Sequence, residues 1–142
     1  LLINDRVDVA LAIGADGVHV GPDDIPVAAI RAIVPKGFLI GTSTDDPKEA
    51  QRLISEGADY LGCGAVYRTT TKSDAGEPIG IDRLKQVILA ADVPVVGIGG
   101  ITVAGSIEIA GETGAAGVAV ISAVMGAPDP SETVRALLRS FR

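Results

Sequence analysis

The chain has 142 residues, 47% hydrophobic and 21% charged, a balance that supports one buried core and excludes both a disordered segment and a collagen-like repeat. Twelve Lys and Arg against 18 Asp and Glu leave a formal net charge of −6, and the aromatic residues are two Tyr and two Phe, which argues against a phosphate-tracking basic face, a base-stacking platform and hence a nucleic-acid partner. No apolar stretch reaches the ~20 residues a bilayer span needs, and the lone Cys63 excludes an internal disulfide or a cysteine-based zinc cluster, so the expectation is a soluble, cytoplasmic chain with no membrane partner.

The chain opens on Leu1 rather than Met, and Leu1-Leu2-Ile3 is already an apolar run; further sequence upstream is expected. Strands buried on both faces read as continuous apolar runs, and such runs recur at 17–20, 38–41, 60–64, 93–98 and 117–121. Between them, residues 7–13, 26–34, 47–55, 81–90, 103–110 and 131–141 carry apolar side chains at the three- and four-residue spacings of a helix. Asp24 and Asp46 ahead of a first-turn Pro, and Ser131 with Pro130 before it, are the expected helix starts. Segments 14–20, 57–63 and 114–120 echo one another: each begins Gly-Ala and runs into a strand, so each Gly reads as the residue that ends a helix.

This alternation predicts a parallel sheet with right-handed crossovers. Two architectures satisfy it. The length suits a doubly wound sheet of five strands, whereas a complete (β/α)₈ barrel needs roughly 250 residues. The polar residues favour the barrel, because they follow nearly every apolar run at its carboxyl end: Asn4-Asp5, Asp23-Asp24, Thr42-Ser43-Thr44, the stretch from Tyr67 to Lys72, Gly99-Gly100 and Ser122. In a barrel those ends converge on one face.

Asp5 and Asp24 end consecutive strands and could share a hard divalent cation with water and phosphate oxygens; equally, each could cap the helix that follows it. Thr69-Thr70-Thr71-Lys72 gathers hydroxyl donors and an ammonium in one long strand-to-helix loop, a combination suited to an anion or to plain solvation. Gly97-Ile98-Gly99-Gly100 ends a strand with backbone that no side chain obstructs, and Val120-Ile121-Ser122-Ala123 opens a last loop or short helix, so main-chain N–H groups could cup a phosphate there; close helix–sheet packing is the alternative. Ser43 has no evident base beside it in the sequence and reads as a hydrogen-bonding serine, His19 as a hydrogen-bonded strand residue and Cys63 as a small buried hydrophobe.

Taken in order, Ile3-Asn4-Asp5-Arg6-Val7-Asp8-Val9-Ala10, Gly14-Ala15-Asp16-Gly17-Val18-His19-Val20-Gly21 with Asp23-Asp24, Gly41-Thr42-Ser43-Thr44, Thr69-Thr70-Thr71-Lys72, Gly97-Ile98-Gly99-Gly100-Ile101 and Val120-Ile121-Ser122-Ala123 resemble the thiamine-phosphate synthase family. The resemblance covers essentially the whole chain. It implies an incomplete TIM (β/α)₈ barrel, residues 1–142 forming a single partial domain from the end of the third strand through the eighth helix and lacking the first βα units. It implies a transferase of thiamine biosynthesis that joins an aminopyrimidine diphosphate to a thiazole phosphate, giving thiamine phosphate and diphosphate. By the same resemblance Asp5 and Asp24 hold Mg²⁺, Asn4, Ser43 and Lys72 bind the pyrimidine diphosphate as the catalytic set, and Thr69, Thr71, Gly100, Ile121 and Ser122 hold the thiazole phosphate. The family's Gln-x-Arg-x-x-x-Lys region is absent from the chain, which leaves this stretch alone without that part of the pyrimidine site. The rival readings are a thiazole tautomerase-like relative and a non-catalytic, five-stranded phosphate-binding module.

Overall fold

The computed structural model describes residues 1–71 and 76–142. Six strands, β1 (Leu2–Asn4), β2 (Gly17–Val20), β3 (Leu39–Ser43), β4 (Tyr60–Cys63), β5 (Val95–Ile98) and β6 (Gly117–Ala119), alternate with helices α1 (Val7–Ala12), α2 (Val27–Ile33), α3 (Pro47–Ser55), α4 (Gly80–Ala90) and α5 (Val103–Glu112). A short α6 (Ser122–Met125) and a longer α7 (Pro130–Ser140) follow β6. All five strand pairings are parallel, and the strands lie side by side in the order of the chain.

That order decides between the two architectures. A doubly wound sheet reverses direction at a switch point, and no reversal exists among these six strands. The five-stranded open sheet is therefore overturned. In a flat sheet with strands ~4.8 Å apart, β1 and β6 would stand about 24 Å apart. Here the residues just past β1 and just past β6 line one cavity, so the sheet curls into the incomplete TIM-like barrel that the resemblance implies.

The pleat sorts the side chains into two layers. On the helix side Val18, Ile40 and Leu61 are fully buried against Ile30, Leu84 and Ile109 of the surrounding helices; each such side chain contributes about 1.5–3 kcal/mol by leaving water. On the inner side the register aligns Leu2, Gly17 and Leu39 in one row, and Asn4, His19, Gly41 and Tyr60 in the next. Leu2, Leu39 and Ile98 of that inner layer remain partly exposed.

Several helix ends follow the sequence reading. Asp46 caps α3, accepting from the N–H groups of Lys48 at 2.8 Å and Glu49 at 3.0 Å, with Pro47 in the first turn; those two bonds, with Arg83 nearby, hold its carboxyl below the usual range. Gly14, Gly57 and Gly114 all take positive φ where the chain leaves a helix. At α7 the reading moves by two residues. Asp129, not Ser131, is the cap, its carboxylate accepting from the Glu132 N–H at 2.9 Å, and Pro130 is the first helical residue.

Candidate active site

A cavity of about 630 Å³ lies at the carboxyl ends of the strands. Nine of the ten residues singled out from the sequence line it: Asn4, Asp5, Asp24, Ser43, Thr69, Thr71, Gly100, Ile121 and Ser122. Lys72, the tenth, lies outside the described residues.

Local backbone explains how each arrives. Asp5 follows β1 directly and turns the chain with φ +62°, a conformation Asp tolerates better than most side chains. Its N–H donates to the His19 carbonyl at 2.8 Å, which fixes the turn against β2. Asp24 lies in the loop after β2, and its Oδ2 accepts from the Gly21 N–H at 2.7 Å. The capping alternative fails for both aspartates: α1 is entered through Arg6 and α2 through Pro26, neither helix has a side-chain cap, and both carboxylates line the cavity instead.

The loop after β4 is stitched at both ends. The N–H groups of Val66 and Tyr67 donate to the carbonyls of Ile98 and Gly99, extending the pairing of β4 with β5, and on the return Ile79 and Gly80 donate to Ala65 and Val66. Thr69 and Thr71 are thereby held at the cavity, with the Thr71 N–H on Thr69 Oγ1 at 3.2 Å. Opposite them, Gly99 and Gly100 take φ +93° and +65°. Their lack of side chains has a packing cause: a Cβ at Gly99 would stand 2.6 Å from Ala65 Cα, and one at Gly100 2.4 Å from the Arg68 carbonyl oxygen. Close packing is thus sufficient reason for both glycines, and the same bareness leaves their backbone open to the cavity.

Tyr60 was missed by the sequence reading. His19 sits between Tyr60 and Ser43, with Nδ1 2.9 Å from the Tyr60 hydroxyl and Nε2 2.8 Å from Ser43 Oγ. The signal that could have found it is the glycine opposite it in the register, Gly41, which only an adjacent bulky side chain explains. His19 is, as read, a hydrogen-bonded strand residue, and Ser43 a hydrogen-bonding serine, but the expectation of no base beside Ser43 is corrected: strand pairing brings the His19 ring to it from β2.

The described lining holds four carboxylates, Asp5, Asp23, Asp24 and Asp45, and no Lys or Arg. Among the described residues no group of three or more His, Cys, Asp or Glu is placed to hold a metal. Two oxygen ligands from the protein are the donor set of Mg²⁺, which keeps several waters and takes phosphate oxygens besides one or two carboxylates; Asp5 and Asp24 fit it, whereas a closed zinc or calcium cage does not. Cys63 lies outside this chemistry. It is fully buried on the helix side, and burial, with Asp45 adding to it, pushes its thiol up to about 12. Iodoacetamide at neutral pH is therefore expected to leave the Cys63 peptide unlabelled in the native protein and to label it after denaturation, read by mass spectrometry; native labelling at the denatured rate would contradict the buried placement.

The thiamine monophosphate synthase family model matches residues 1–124. The chain is 54% identical, over its whole length, to 29% of the thiamine biosynthesis bifunctional protein ThiM/ThiE of Symbiobacterium thermophilum. It is 51% identical over 96% of its length to 60% of the thiamine-phosphate synthase of Roseiflexus castenholzii. Among solved structures, thiamine phosphate pyrophosphorylase from Pyrococcus furiosus superposes with a TM-score of 0.88 at 42% identity, covering 99% of this chain and 66% of that one. The chain thus spans less than two thirds of the length of each of these three proteins.

Proposed function

Because the chain belongs to the thiamine monophosphate synthase family, we propose that its cavity is the substrate site of a transferase that couples a pyrimidine diphosphate to a thiazole phosphate. The products are thiamine phosphate and diphosphate. The observation that supports this reading most strongly is the convergence of the nine residues on one cavity from the ends of β1 through β6. They come from six separate connections, and packing alone gives no reason for eight of the nine, all but Ile121, to be polar or bare.

Charge is the main chemical problem at such a site. A diphosphate enters a cavity whose described lining is acidic, so it needs cations. In this proposal Asp5 and Asp24 hold Mg²⁺, which when bound supplies charge neutralisation on the departing diphosphate. Lys72 adds a point charge beside it. Asn4 and Ser43 donate to the pyrimidine diphosphate, while the hydroxyls of Thr69, Thr71 and Ser122 and the backbone at Gly100 and Ile121 take the thiazole phosphate. A reaction driven by leaving-group departure asks for preorganised charge rather than a nucleophile.

The test is the coupling assay on the full-length protein with both substrates and magnesium. Thiamine phosphate is the expected product; a folded protein that rearranges the thiazole without coupling it would overturn the reading in favour of a tautomerase. Lys72 provides the sharper variant. Lys72→Arg is expected to keep part of the activity and Lys72→Met to lose at least about tenfold, since an ion pair to phosphate contributes about 1.5–3 kcal/mol. Borohydride trapping of a substrate adduct on Lys72 would defeat an electrostatic role for it.

A further inference from the structure

The inner face of β2, β3 and β4 carries a hydrogen-bonded chain that reaches the cavity from behind. His19, Gly41 and Tyr60 share one register row across the three strands, so their side-chain positions point to the same face. Gly41 stands in the middle. A Cβ there would lie 2.1 Å from the Tyr60 ring, so only glycine lets the ring lie across β3 and bring its hydroxyl to His19 Nδ1 at 2.9 Å. Two residues further along β3, Ser43 is on the same face and faces Gly62 of β4. A Cβ at Gly62 would come within 3.1 Å of the His19 ring and 3.4 Å of Ser43 Oγ. Two glycines thus clear the space in which three polar side chains meet. His19 and Ser43 line the cavity; Tyr60 does not.

With the imidazole taken as neutral, its contacts to Tyr60 and Ser43 allow two proton arrangements. A neutral imidazole has one N–H and one bare nitrogen. If Nδ1 carries the proton, it donates to Tyr60, and Ser43 donates to Nε2. The Tyr60 proton then has no acceptor among the described residues, and Ser43 turns only lone pairs to the cavity. If Nε2 carries the proton, Tyr60 donates to Nδ1, Nε2 donates to Ser43 Oγ, and the Ser43 hydroxyl hydrogen is directed to a ligand. The second arrangement pairs the Tyr60 hydroxyl and the ring N–H, and pairs the Ser43 hydroxyl once a ligand is bound. Burial raises the Tyr60 hydroxyl above its ordinary range, which keeps its proton in place.

We infer that Tyr60 is a positioning residue: through His19 it fixes Ser43 as a hydrogen-bond donor toward an anionic substrate. The inference rests on the reading of Ser43 as a ligand of the pyrimidine diphosphate and adds to it the residue that sets the polarity of that contact. A serine with the opposite polarity would turn lone pairs toward phosphate oxygens and repel them.

The experiment uses the full-length protein and three variants, Tyr60→Phe, Ser43→Ala and the double variant. Phe keeps the ring over Gly41 and removes only the donor. The expected result in Tyr60→Phe is a KM for the pyrimidine diphosphate raised about three- to tenfold, the effect of one hydrogen bond to a charged group, with the KM for the thiazole phosphate unchanged. In the Ser43→Ala background the same substitution is expected to add nothing. Nitrogen-15 spectra of His19, assigned with His19→Gln, should show a protonated Nε2 and a bare Nδ1 in the unsubstituted protein, and a shift toward protonated Nδ1 in Tyr60→Phe. A loss in Ser43→Ala without any in Tyr60→Phe, or a His19 protonated at Nδ1 from the outset, overturns this inference alone. A Ser43→Ala variant with an unchanged KM for the diphosphate overturns the reading of Ser43 and the inference with it.

Discussion

Asp24→Asn in the full-length protein is expected to lower turnover by on the order of 10²–10³-fold while the protein melts as before. Asn keeps an oxygen that can accept from the Gly21 N–H, so the loop after β2 retains the 2.7 Å bond that Asp24 now makes. What is lost is the charge. With four carboxylates and no Lys or Arg in the described lining, a cation holding the diphosphate would, in the proposed reading, depend on Asp5 and Asp24, and neutralising charge that develops on a leaving group contributes several kcal/mol to the barrier. The magnesium concentration for half-maximal activity should rise in parallel. Unchanged turnover at unchanged magnesium dependence would leave Asp24 only its turn-holding role.

The second large effect concerns stability. Gly100→Ala is expected to cost roughly 2–5 kcal/mol, the sum of strain at a left-handed position and overpacking, against a typical total of about 5–15 kcal/mol. The methyl would meet the Arg68 carbonyl oxygen at 2.4 Å and the Tyr67 carbonyl oxygen at 2.7 Å, at φ +65°. Both obstacles are backbone and cannot rotate away. The stitched loop after β4 must therefore shift, and binding of both substrates should weaken together. Urea unfolding gives the stability change; a loss below about 1 kcal/mol, or weakening confined to the thiazole phosphate, would show that the glycine serves the ligand rather than the packing.

These two residues also show how far the sequence could be read. Buried parallel strands leave apolar runs, and helices leave a three-to-four spacing, so the alternation was legible, as were Asp46 with Pro47 and the glycines that end α1, α3 and α5. Composition and length could not separate a barrel arc from a doubly wound sheet, because strand order is a long-range property. The placement of polar residues after successive strands did carry that information, since only a curled sheet puts the residues past β1 and those past β6 on one cavity. Asp5 and Asp24 were ambiguous for a local reason: an aspartate two or three residues before a helix looks the same whether it turns to the helix or to the cavity. Tyr60 was invisible because its role depends on a register row, His19 beside Gly41 beside Tyr60, that exists only once three strands have paired.

The most direct measurement is a crystal structure of the full-length protein grown with thiamine phosphate, diphosphate and magnesium. The expected density places Mg²⁺ between the Asp5 and Asp24 carboxylates, diphosphate beside Asn4, Ser43 and Lys72, and the product's phosphate against Gly100, Ser122 and the Thr69–Thr71 loop. Product bound elsewhere on the protein, with this cavity holding only solvent, would contradict the assignment of the site.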